Sequence, residues 1–177
     1  MPKPTREDAM NAIKTIISFI GDDPSRPELL KTPERVTDHY LKMFSGYATD
    51  PSEILSCTLP NSDNYRDPIY FENIEFSSFC EHHILEFSGT IEIAYIPTDK
   101  LISFGRIAKL VECLSKRLQI QERLTKQISD AINAHIPNSG TSVTIRASHK
   151  CLSDIHHNMG NSIVKTAILT GGFGSKE

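Results

Sequence analysis

Apolar residues recur at helical spacing near the start of the chain: Ala9, Ala12, Ile13, Ile16, Ile17 and Ile20. Steps of three and four put them on one stripe, the mark of a helix that packs one face. Thr5 can cap it, Asp8 follows three residues later, and Gly21-Asp22-Asp23-Pro24 stops it, so the helix spans about 5–21. A second helix is expected from Thr32 as N-cap, with Pro33 as its first residue, to about Phe44 ahead of Ser45-Gly46. Residues 47–68 hold Pro51, Pro60, Pro68 and the cluster Asn61-Ser62-Asp63-Asn64, and read as a long connection.

The period then changes. Ile69-Tyr70-Phe71-Glu72-Asn73-Ile74-Glu75-Phe76 and Thr90-Ile91-Glu92-Ile93-Ala94-Tyr95-Ile96 alternate as strands, the second ended by Pro97. Ile107, Leu110, Val111 and Leu114 predict a helix over about 104–117. Ile120, Leu124, Ile128, Ala131, Ile132 and His135 predict another over about 119–136. The stretch 141–151 reads as a strand with Val143, Ile145, Ala147, His149 and Cys151 on one face, and 163–170 as the last strand. Helices, two strands, two helices and two strands make an α+β plan: an antiparallel sheet covered on one face by helices. We divide the chain into an N-terminal helical arm (1–47), a connecting loop (48–68) and a sheet domain (69–177).

Composition narrows the function classes. The 177 residues carry 19 Lys and Arg against 22 Asp and Glu, a net charge of −3, so no affinity for nucleic acid is expected. No run approaches the length of a membrane span, and the first residues lack an apolar signal core. Four cysteines without a dense framework suit a reducing cytoplasm. Cys57 is read as a bystander and Cys113 as a small buried apolar residue.

The chemistry gathers in two short stretches, Cys80-Glu81-His82-His83 and His149-Lys150-Cys151. Thiolate and imidazole are the ligands of zinc, and a catalytic zinc keeps three protein ligands and one open position. Cys80 and His83, three apart, can aim at one point from a tight loop, with Cys151 arriving from a distant segment. Histidines beside such a site would donate and accept protons near neutral pH. A structural site, with His82 or His149 as fourth ligand, is the alternative these residues leave open. An open site argues for hydrolysis, or addition of water to an electron-poor carbon.

Five blocks carry a resemblance to a known family: Thr32-Pro33-Glu34-Arg35-Val36, Ser78-Phe79-Cys80-Glu81-His82-His83, Ala94-Tyr95-Ile96-Pro97, Gln119-Ile120-Gln121-Glu122-Arg123-Leu124-Thr125 and His149-Lys150-Cys151. In this order, over about residues 8–174, the chain resembles GTP cyclohydrolase I. The resemblance implies a tunnelling fold whose subunit sheets join into a barrel, assembled as a homo-decamer. It implies conversion of GTP to 7,8-dihydroneopterin triphosphate with release of formate. Cys80, His83 and Cys151 would then hold Zn2+, His82 and His149 would shuttle protons, and Glu122, with Gln121 beside it, would bind the guanine edge. A carboxylate suits that edge because it presents only donors.

The phosphate end departs from the family. Arg35 matches a phosphate-binding arginine, but Asp38 stands where a lysine is usual. Gly105-Arg106-Ile107-Ala108-Lys109 keeps both charges of a Ser-Lys-x-x-Arg pattern and loses the hydroxyl, and Ile155-His156 replaces an Arg-Gly pair. Arg35, Arg106 and Lys109 are therefore the expected phosphate contacts. The alternatives are the same ring opening on a less phosphorylated guanine nucleotide, nucleoside or other purine, or a non-catalytic zinc-binding homologue.

Overall fold

The computed structural model describes residues 3–155, 159 and 161–174. The chain divides into two compact units, Met1–Phe44 and Ser45–Glu177. In the first, α1 (Arg6–Phe19) starts with a reciprocal capping box: Thr5 accepts from the Asp8 N–H while the Asp8 carboxylate accepts from the Thr5 N–H. Helix α2 (Thr32–Met43) begins one residue earlier than expected. Lys31 occupies the cap without a side-chain bond and Thr32 is already helical, because consecutive turn bonds from Arg26 through Leu29 wind the chain into the helix. Arg6 joins the two helices through Asp38 and Glu34.

In the second unit, the expected connection contains structure of its own. A single 3₁₀ turn at Ser45–Ala48 is followed by α3 (Pro51–Leu55), capped by Asp50, and by β1 (Leu59–Pro60). Leu55 of α3 is fully buried, so a short apolar pair, too brief to show a period, pins this segment to the core. The rest follows as β2 (Ile69–Cys80), β3 (Glu86–Pro97), β4 (Lys100–Leu101), α4 (Phe104–Ser115), β5 (Leu118–Gln119), α5 (Gln121–His135), β6 (Asn138–His149), α6 (Lys150–Ile155) and β7 (Val164–Leu169).

The main sheet runs β5-β2-β3-β6-β7, antiparallel except for the short parallel pairing of β5 with β2. Alternation puts Phe76, Ile91, Ile93, Tyr95, Val143, Ile145 and Ala147 on the face that packs with Ile107, Leu110 and Leu114 of α4 and Leu124, Ile128 and Ile132 of α5, in one continuous core. This is the α+β, tunnelling-fold plan, with a helix pair inserted between adjacent strands β3 and β6.

Strand β3 starts four residues earlier than the pattern suggested, because Gly89 looks like a strand boundary and is an interior position. A Cβ there would lie 2.0 Å from the Arg146 carbonyl oxygen, so glycine permits close approach of β6. Burial of the core makes a direct prediction. Leu110→Ala, at a side chain with no exposed surface, should lower unfolding free energy by about 2–5 kcal/mol. Gly105→Ser, where a Cβ meets nothing within 4 Å, should change it by no more than about 0.5 kcal/mol. Urea titration of both variants measures this.

Candidate metal centre and active site

Cys80 is the last residue of β2. Its N–H donates to the Leu85 carbonyl (2.8 Å) and its own carbonyl accepts from the Ile84 N–H (2.8 Å), which closes Glu81-His82-His83 into a tight turn before β3. The register continues across the sheet. Phe79 pairs with Glu86, and Phe87 with His149, so the ends of β2 and β6 and the start of β3 lie at one end of the sheet. Helix α5 starts there too, since Cys80 pairs with Gln119 just ahead of it.

His149 and Cys151 do not share a strand face as expected. The β3–β6 ladder ends at the Phe87–His149 pair, and directly after it the backbone turns into α6, where helical bonds take over from the ladder. Cys151 enters the site from the first turn of that helix. Even so, the Cys80 and Cys151 sulfurs and a ring nitrogen of His83 all lie within 4.8 Å of one another. Both thiols are buried, and His83 faces solvent. His82 Nδ1 lies 3.7 Å from the Cys80 sulfur.

Burial pushes the Cys151 thiol up, and the neighbouring charge of Cys80 and the hydrogen bond that the Cys151 thiol donates to it add to the shift. Two facing thiols resist ionising together until a cation joins them, and thiolate-imidazole sets select metals that prefer sulfur and nitrogen. The residues present therefore fit a metal ion.

His149 is half-buried, and its ring stacks flat on Phe87 at 4.7 Å and 1°. Burial lowers its pKa, against a smaller opposing effect from the charge of Glu122. The sequence pattern does not reveal this stacking partner, because clean alternation begins only at Thr90 and Phe87 lies before it. Glu122 lies exposed in the first turn of α5. Its neighbour Arg123 pairs with Glu81 (3.1 Å for one of the two contacts), tying the ligand turn to α5, and Lys150 pairs with Glu86.

Gln121 differs from expectation. Rather than lining a substrate surface, it is 2% exposed and its amide is taken up by the protein. Of the expected phosphate contacts, Arg35 is exposed on α2 in the first unit. Arg106 donates to the Ile54 carbonyl at 3.3 Å. Lys109 lines a cavity of about 310 Å³ with Ser45, Thr49, Cys113 and Lys116. Asp38 is paired with Arg6, so its charge is compensated. His156 and His157 lie outside the described residues.

The sequence profile of GTP cyclohydrolase I matches residues 9–177. The chain is 44% identical to "GTP cyclohydrolase 1" of Rickettsia felis and 45% identical to that of Rickettsia typhi, in each case over 100% of this chain and 93% of the relative. Among solved structures, the apo form of an archaeosine synthase QueF-like protein matches 60% of the chain at 15% identity and a TM-score of 0.46, too distant to add to this. The chain belongs to the GTP cyclohydrolase I family, a family of hydrolases. No helix among the described residues is long and apolar enough to cross a membrane.

The ligand turn carries strain. Ile84, a β-branched residue, sits at φ 55°, a left-handed conformation that costs an L-residue about 1–2 kcal/mol. Its side chain is 49% exposed, so little packing compensates. Ile84→Asn, which tolerates this conformation, should raise the stability of the chelator-treated protein by about 1 kcal/mol in a urea titration. An unchanged or lower midpoint would show that the turn is relaxed.

Proposed function

We propose that this chain is a zinc-dependent GTP cyclohydrolase I, opening the imidazole ring of GTP at C8 by hydrolysis to release formate and give 7,8-dihydroneopterin triphosphate. The observation that carries the reading is the convergence of Cys80, His83 and Cys151 at the sheet end where His149 stands. Two thiols and one imidazole match zinc with a fourth position left open. Bound zinc supplies Lewis acidity, which brings the pKa of water toward neutrality.

The chain's own residues do the remainder. The Glu122 carboxylate accepts from the N–H edge of guanine and sets which ring carbon faces the reacting end. His149, whose burial favours the neutral imidazole, accepts a proton as water adds to C8 and returns it to the ring nitrogen that leaves. His82, exposed beside Cys80, exchanges protons with solvent through the later steps. Arg35, Arg106 and Lys109 hold the phosphates, and pairing of Asp38 with Arg6 limits the repulsion a bare carboxylate would add. In sequence, Gly105 and Ile155 stand where the family pattern has a serine and an arginine, which favours, as the second reading, ring opening of a less phosphorylated guanine nucleotide, nucleoside or other purine.

We also infer a homo-decamer in which sheets join side by side. Support comes from two open edges: among the described residues β7 pairs only with β6, and β2 meets β5 only at Phe79 and Cys80. Exposed strand edges invite pairing with another chain.

Parallel turnover assays of the zinc-loaded protein with GTP, GDP, GMP and guanosine test the function. GTP should give zinc-dependent formate and a fluorescent pterin after oxidation, and His149→Ala should lower kcat about 10²–10⁴-fold. Preference for GMP or guanosine would support the second reading. Absence of formate from all four, with zinc bound, would overturn guanine ring opening.

A further inference from the structure

Gln121 occupies the first position of α5, beneath the end of β6. Its Nε2 donates to the Ile145 carbonyl (3.1 Å) and the Val164 carbonyl (3.0 Å), with Thr166 Oγ1 also at 3.1 Å. Carbonyl oxygens only accept, so the amide must turn its –NH₂ toward them. That choice leaves Oε1, an acceptor without a proton, facing His149 Nε2 at 2.9 Å. The amide cannot flip without setting oxygen against two carbonyl oxygens. The orientation is held further by Thr166, whose hydroxyl also meets Thr125 Oγ1 at 2.7 Å, while Thr125 is itself within 2.8 Å of the Gln121 carbonyl.

From this network we infer that Gln121 is a positioning residue that commits Nε2 of His149 to a permanent proton, so that His149 exchanges protons with the substrate only through Nδ1. A hydrogen bond at 2.9 Å to an obligate acceptor requires a donor on the imidazole, and this holds for the neutral ring and the cation alike. Phe87 stacks on the ring and fixes its plane, and Gln121 fixes which edge points inward. Together they leave one nitrogen for chemistry. Water addition at C8 then places its proton on Nδ1, and the same proton leaves from Nδ1 to the departing ring nitrogen. This inference rests on the proposed role of His149.

Magic-angle-spinning NMR of the zinc-loaded full chain, with ¹⁵N in the histidine rings, reads the two nitrogens directly. His149 is assigned by comparison with His149→Gln. The expected spectrum has His149 Nε2 bonded to hydrogen. Gln121→Met keeps the side-chain length and removes the acceptor. It should add a second His149 form with bare Nε2 and lower kcat more than tenfold with KM within about threefold. An Nε2 without hydrogen in the wild-type chain overturns the inference, even if formate release from GTP is fast. So does a Gln121→Met chain with unchanged His149 nitrogens and kcat. If wild-type formate release fails while Nε2 is protonated, the positioning stands and the proposed activity falls. Should Gln121→Met not fold, the wild-type spectrum alone decides.

Discussion

The site depends on strand register. Cys80 and Cys151 are separated by the whole helix pair, and they meet only because β2, β3 and β6 run out at the same row of the sheet. A shift of one residue in an antiparallel ladder turns every side chain to the opposite face. Here such a shift would move His149 off Phe87 and carry Cys151 away from Cys80. The register is held by the buried alternation of β3 and β6 against α4 and α5, and by Gly89, which lets the two backbones close. Stability and function therefore share their determinants.

A second constraint is polar and runs beneath the first. Along α5, the buried Gln121, Thr125 and Ser129 recur every four residues facing β6 and β7, and the exposed Asn133 extends the row at its end. Thr125 meets Thr166, and Ser129 and Asn133 meet Thr141. Buried polar groups require partners, so this row accepts only one alignment of α5 against the strands. Its first member reaches His149. Helix docking and the stance of the histidine are thus parts of one network.

Much of this was legible in the residues, and the omissions have physical causes. Helical stripes at 104–117 and 119–136 and the alternation of the long strands announced the layers, because burying one face imposes a period. The cluster of Cys80, His83 and Cys151 that could hold a metal was legible as a vocabulary of Cys and His at short spacing. Periodicity does not show where a strand ladder ends, so it puts Cys151 on a strand face although the residue stands on α6. Gln121 read as a substrate contact because it adjoins Glu122; its burial depends on β7, which is distant in sequence. The short helix α3 was hidden among prolines, with Leu55 too isolated to show a stripe.

Everything proposed for this chain turns on an open metal centre built from Cys80, His83 and Cys151. X-ray absorption at the zinc edge of the loaded, substrate-free protein reads that coordination shell. An open site should show two sulfur neighbours at about 2.3 Å and two nitrogen or oxygen neighbours at about 2.0–2.1 Å, only one of them an imidazole. Two imidazoles beside the two sulfurs would mean that His82 or His149 closes the site as a structural centre. A closed centre of that kind leaves no position for water and rules out zinc-assisted hydrolysis here.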